Sequence, residues 1–106
     1  MAEAPIQRQI LASLHRAGVF VWRANVGGAR LPSGAVIKFG IRGQPDLIGM
    51  LPDGRFLGIE TKAERGRQSP VQRAFQARCD RNRAVYLIAR SLDEARTALV
   101  PYGVAL

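Results

Sequence analysis

The spacing of apolar residues changes along the chain, and each change marks an element. Ile6, Ile10 and Leu14 recur every four positions, with Leu11 beside them, which predicts a helix over 4–17 stopped by Gly18. VFVWRA (19–24) is β-branched and aromatic and predicts a strand. Residues 25–45, NVGGARLPSGAVIKFGIRGQP, lose the pattern and are dense in glycine; within them AVIKF predicts a short strand, with PSG as the turn before it. Loops of this length in small domains are usually functional or mobile. LIGML and RFLGIETK then flank Asp53-Gly54, a strong hairpin signal. After the basic, polar AERGRQ, Ser69-Pro70-Val71-Gln72 opens a helix: Ser as cap, Pro in the first turn, Gln at the third position, with Val71, Phe75 and Cys79 as the apolar stripe. AVYLIA (84–89), apolar throughout, predicts a strand of the buried type. Ser91 and Glu94 form a second capping box, for a last helix with Leu92, Ala95 and Leu99 inward and Pro101 at its end.

The order is helix, strand, glycine-rich excursion, hairpin, helix, strand, helix. Such alternation predicts an α/β protein (α+β, mixed sheet) with helices packed on the sheet. The length predicts one domain over residues 1–106, and 47% hydrophobic residues suffice for one core. No apolar run approaches the roughly 18 residues of a membrane span. MAEAPIQRQ has no basic n-region followed by an apolar h-region, and the lone Cys79 has no partner for an internal disulfide. These features lead us to expect an intracellular protein away from the membrane.

The net charge is +8, and the bases are nearly all arginine, Lys38 and Lys62 being the only lysines. Arginine suits bidentate phosphate contacts, so the balance suggests a nucleic-acid partner. A basic soluble protein from an arginine-rich proteome accounts for it as well. The arginines are scattered, which favours a folded basic surface over a disordered arm.

Three charges stand out in the hairpin. With Asp53 and Gly54 as a two-residue turn, Asp46 faces Thr61 and lies beside Glu60 and Lys62; a one-residue bulge shifts this by one place. Glu60 and Lys62 are two apart and share a side of the sheet. Paired carboxylates repel unless a proton or cation sits between them. A hard cation such as Mg²⁺ prefers such oxygen ligands, with backbone carbonyl and water completing its shell. It lowers the pKa of bound water and stabilises charge on phosphoryl oxygen. Lys62 is placed to orient the water or neutralise developing charge. The plain alternative is a strand-end salt bridge from Lys62 to Glu60 or Asp46, which E-x-K alone would favour. The combination of P-D, an intervening hairpin and E-T-K tips the balance toward a metal site.

P-D followed by E-x-K resembles the PD-(D/E)XK nuclease superfamily. More narrowly, GQPDLIGMLPDGRFLGIETK, GRQSPVQRAF and RAVYLIA resemble the VRR-NUC (virus-type replication-repair nuclease) domain, as do Glu3-Ala-Pro-Ile-Gln and Trp22-Arg23-Ala-Asn25. The resemblance runs from about Glu3 to the strand at 84–89. It implies a restriction-endonuclease-like αβββαβ core with flanking helices. It implies a Mg²⁺ site, with Mn²⁺ able to substitute, made by Asp46, Glu60 and the Thr61 carbonyl, with Lys62 as catalytic lysine and Gln72 as a further member. Glu3 is the candidate for an additional ligand from the first helix. The resemblance also implies a homodimer acting on branched DNA such as four-way junctions or flaps, in the cytoplasm of a bacterial or phage-infected cell.

Gln72 has a second reading, as the residue that completes the capping box of Ser69, and the two roles compete for one side chain. Arg23, Asn25, Arg30, Lys38, Arg42, Arg65, Arg67 and Arg73 are the candidates for gripping the DNA backbone. His15, the only histidine, is expected on the exposed face of the first helix, and Cys79 in the core. Trp22, Phe39 and the terminal YGVAL are candidate dimer surfaces. The resulting expectation is a Mg²⁺- or Mn²⁺-dependent DNA endonuclease. Its rivals are a non-catalytic basic nucleic-acid-binding module of the same fold and a subunit of a larger replication or recombination complex.

Overall fold

The computed structural model describes residues 3–24 and 27–106, apart from the side chains of 27, 28, 38 and 39. Asn25 and the side chains of Lys38 and Phe39, singled out above for DNA or subunit contact, lie outside the described residues.

Helix α1 spans Glu3–Arg16 and buries Ile6, Ile10 and Leu14, the four-residue repeat seen in the sequence. Pro5 sits in its first turn, where no intrahelical N–H is lost. Strands β1 (Phe20–Arg23), β4 (Leu47–Met50), β5 (Phe56–Thr61) and β6 (Val85–Ala89) form one sheet in the order β1-β4-β5-β6. The first two contacts in that order are antiparallel and β5–β6 is parallel. Between β1 and β4 the glycine-rich excursion folds as a separate hairpin, β2 (Gly27–Arg30) with β3 (Val36–Phe39). The expected strand is thus β3. Its partner β2 was hidden because Gly-Gly gives no strand signal.

Helix α2 (Pro70–Arg81) connects β5 to β6, and α3 (Leu92–Leu99) follows β6. The core cluster joins Ile10 and Leu14 of α1, Leu57 and Ile59 of β5, and Ala95 and Leu99 of α3. So α1 and α3 cover one face of the sheet. On the other face α2 places Phe75 between Phe56 and Tyr86, with ring centroids 6.3 and 6.2 Å away. The architecture is the expected mixed α/β with an αβββαβ core, carrying the β2–β3 hairpin as an insertion.

Four local expectations need correction. The β4–β5 turn has three residues, not two: Leu51 N–H donates to Arg55 O at 2.8 Å and Gly54 N–H to Leu51 O at 2.9 Å, with Gly54 at φ 91°. This is a turn closed by a left-handed residue, which glycine adopts without strain. Second, Val71 is 39% exposed and does not join the core; the inward positions of α2 are Gln72, Phe75, Gln76 and Cys79. Third, Ser91 caps α3 by accepting from Glu94 N–H at 3.0 Å, and only this half of the box forms. Fourth, the terminal YGVAL is not a free surface, since Val104 is buried and Tyr102 and Leu106 pack against the core. Trp22 is 44% exposed on the edge strand, so it is not core. No helix among the described residues is long and apolar enough to cross a membrane.

Candidate active site

The three-residue turn sets the register. Leu47 pairs with Ile59, so one step outward Asp46 stands opposite Glu60, one place from the two-residue count. Opposed residues put their side chains on one face of the sheet, here the α2 face. Two features hold Asp46 in place. Its main-chain oxygen accepts from Ala24 N–H at 2.8 Å, tying it to the end of β1. Its Oδ2 accepts from both the Thr61 N–H (2.8 Å) and the Thr61 hydroxyl (2.7 Å). Pro45 packs directly over Gly58, where an added Cβ would lie 2.6 Å from the proline ring. P-D and the glycine of β5 are therefore matched.

Glu60 is only 3% exposed. Burial pushes its pKa up to about 9, and the hydrogen bond and charge of the adjacent Asp46 add to the shift; the Lys62 ammonium opposes it, and Glu3 adds slightly. Among the described residues Lys62 forms no ion pair with either carboxylate, so the strand-end salt bridge is not what the three charges make. Lys62 is half-buried, close enough for its charge to be felt at Glu60.

Gln72 makes both the cap contacts and a contact with Glu60, so the two readings do not compete for its side chain. Its Oε1 accepts from Ser69 N–H at 2.8 Å while the Ser69 hydroxyl accepts from Gln72 N–H at 3.2 Å, a complete capping box. Its Nε2 donates to Glu60 Oε2 at 2.9 Å. The amide can face only one way: the Ser69 N–H needs an acceptor, which leaves the NH₂ for the carboxylate. The helix cap thus aims a donor into the site.

Asp46, Glu60 and Gln72 open into a cavity of about 340 Å³, also lined by Gln7, Arg23, Ala24, Gly43, Gln44 and Ser69. Gln7 was present in the E-x-x-I-Q motif but not singled out. Its spacing of four from Glu3 on one helix puts the two on the same face, and that was the available signal. Arg90 was also missed. It donates to Gly66 O at 2.8 Å and so pins the loop bearing Arg65 and Arg67. Only the folded chain brings these positions together.

Glu3 lies exposed in the first turn of α1; its charge reaches Glu60, but among the described residues no three acidic, histidine or cysteine side chains gather to hold a metal. Arg30, Arg42, Arg65, Arg67 and Arg73 are exposed, and Arg73 donates to Gln68 O at 2.9 Å. The chain carries no acidic residue between Glu3 and Asp46, so everything from Ala4 through the β2–β3 hairpin is neutral or basic. His15 is exposed as expected and hydrogen-bonds Val21 O at 2.9 Å, away from the cavity. Cys79 is buried, and that burial pushes its thiol pKa up, as suits a core residue.

A mixed sheet with a carboxylate pair at the open end of a central hairpin, and a helix capping that end, defines the class of fold. A solved structure described as a VRR_NUC domain shares it: TM-score 0.68, 20% sequence identity, 95% of this chain and 96% of that one covered. The chain therefore has the VRR_NUC fold. No family model matches the sequence, and no curated protein is significantly similar to it.

Proposed function

We propose that the protein is a metal-dependent DNA endonuclease that hydrolyses phosphodiester bonds and selects branched or otherwise structured DNA. The observation that carries this reading is the convergence of Asp46, buried Glu60 and the Gln72 amide on one cavity. A carboxyl group pushed up by burial and then by its carboxylate neighbour is short of positive charge, and a hard divalent cation with oxygen preference is the natural complement. The residues present therefore fit Mg²⁺, or Mn²⁺ in its place. Asp46, Glu60 and the Thr61 carbonyl would hold the ion, with water completing the shell. When bound, it would supply polarisation of a phosphoryl oxygen and a more acidic water.

The chain's own groups do the rest. Thr61 fixes one oxygen of Asp46 through two donors, which orients the other. Gln72 holds Glu60 and sets the position of its free oxygen. Lys62, unpaired with either carboxylate among the described residues, is available to orient the attacking water or to neutralise negative charge developing on the phosphoryl group. The acid-free stretch 4–45 and the arginines of the 62–69 loop would supply the phosphate contacts. Cutting two strands symmetrically takes two such sites, so a homodimer belongs to this reading.

The test is cleavage of end-labelled single-stranded, duplex, flap and four-way-junction DNA with Mg²⁺, Mn²⁺ or EDTA, beside Glu60→Gln. Metal-dependent cutting that the variant loses, with DNA binding retained, is the expected result. Binding without cutting under every metal would favour the non-catalytic module.

A further inference from the structure

Of the stripe expected to anchor α2 in the core, Phe75 and Cys79 turn inward but Val71 does not, and where it goes instead is informative. Positions 71, 74, 75 and 78 lie on one flank of α2. With Ile41 and Arg42 they line a half-open cleft of about 290 Å³. Ile41 is 60% exposed and Val71 39%, so both present apolar surface to this cleft. Arg42 and Arg78 stand at this cleft, and among the described residues neither is in an ion pair. Val71 also lines the cavity that holds Asp46 and Glu60, so one residue borders both spaces. The packing there is tight: Gly43, at φ 83°, lies so close to α2 that an added Cβ would sit 2.3 Å from Val71 O.

We infer that this cleft is a binding site for one unpaired nucleotide of the DNA strand whose phosphodiester occupies the adjoining cavity. The inference rests on the nuclease reading for the identity of the strand. The chemistry of the cleft specifies the occupant. Ile41, Val71 and the Phe75 ring offer an apolar floor that suits the face of a nucleobase. Arg42 and Arg78 supply the charge for a phosphate. A base held in a duplex is stacked and paired and cannot enter, so the site rewards DNA with an unpaired or easily flipped base next to the cut. That gives a physical basis for structure selectivity, which the carboxylate site alone does not contain.

The experiment measures binding in EDTA, so that no cleavage occurs. A fluorescein-labelled flap substrate is prepared with a single abasic position moved stepwise along the strand. Wild type should lose about tenfold in affinity at one position, the scale of one base–side-chain contact. The double variant Ile41→Ser/Val71→Ser should bind the intact flap about tenfold more weakly and show no abasic position. Ala74→Leu, which fills the cleft from an exposed helix position, should behave alike and guards against a folding defect in the first. Abasic sensitivity that persists unchanged in these variants, or that is absent from wild type, overturns the site. So does a wild-type dimer that the variants convert to monomer in light scattering, because the cleft would then hold a second copy. If wild type shows the abasic signature but never cuts with Mg²⁺ or Mn²⁺, the nucleotide site stands and the nuclease reading falls.

Discussion

Gln72 shows how one residue can cap a helix and hold a buried carboxyl group at once. Its carbonyl oxygen completes a helix cap and its NH₂ grips Glu60. The two roles separate by mutation. Ser69→Ala removes the hydroxyl acceptor only, and should cost about 1 kcal/mol of stability with little change in cleavage under saturating DNA. Gln72→Ala should cost a similar amount and also lower kcat, because Glu60 loses its positioning donor. Equal melting losses with unequal kcat would confirm the division; equal kcat in both would refute it. Glu60 yields a second prediction. Its folded pKa, about 9, lies above the ordinary 4.5, so between these values the folded state keeps a proton that the unfolded chain has released. Stability of the metal-free protein therefore falls as pH rises through that window. Glu60→Gln should flatten this dependence and raise the melting temperature in EDTA between about pH 6 and 8, by about 4–8 °C for each kcal/mol relieved. A melting temperature in EDTA that is level across the window in wild type would show that burial does not raise this carboxyl.

At the scale of elements, the sequence was most legible where a local rule applied without competition. The phase of α1, the Ser69 and Ser91 caps, the buried strand β6 and the order of the core all follow from period and capping chemistry. So did the convergence of Asp46 and Glu60, since any hairpin about Asp53-Gly54 brings them together. The exact opposition did not, because Pro52 joins Asp53 and Gly54 in the loop and slips the register by one. Val71 was misassigned for a different reason: an apolar stripe reports a hydrophobic face but not what covers it, and α2 turns Gln72 inward to meet Glu60. Strand β2 left no signal in Gly-Gly. Gly43 is a further feature that only the fold explains. Gly43→Ala meets both a left-handed φ and the Val71 carbonyl, so it should destabilise by about 1–3 kcal/mol and weaken cleavage by moving the wall of the cavity. Gly34→Ala shares the positive φ, 91°, but an added Cβ there meets nothing within 4 Å. It should cost only about 1 kcal/mol and spare the activity. Comparable losses in the two variants would mean that the contact with Val71 carries no weight.

For the whole molecule, the nuclease proposed above raises the question of how one small domain would cut two strands. Each chain holds one carboxylate pair, so paired incision needs a second copy. Of the three apolar segments considered for that contact, the Phe39 side chain lies outside the described residues and the C-terminal segment is largely spent on the core. Trp22 remains. It packs against Phe20 at 5.2 Å between ring centroids, and Phe20 is paired in register with Met50. Phe20, Trp22 and Met50 are 62, 44 and 44% exposed, a contiguous apolar patch on the face of the edge strand, beyond the reach of α2. Pairing through the bare strand edge is less suited, because the His15 side chain already occupies the Val21 carbonyl. A face-to-face contact through the aromatic pair fits better. Light scattering should therefore give twice the monomer mass for wild type and the monomer mass for Phe20→Lys/Trp22→Glu. The variant should still bind flap DNA and nick single strands, since its carboxylates are untouched, but should lose concerted cutting of both strands of a four-way junction. A monomeric wild type, or a variant that stays dimeric, would place the second copy elsewhere or remove it from the mechanism.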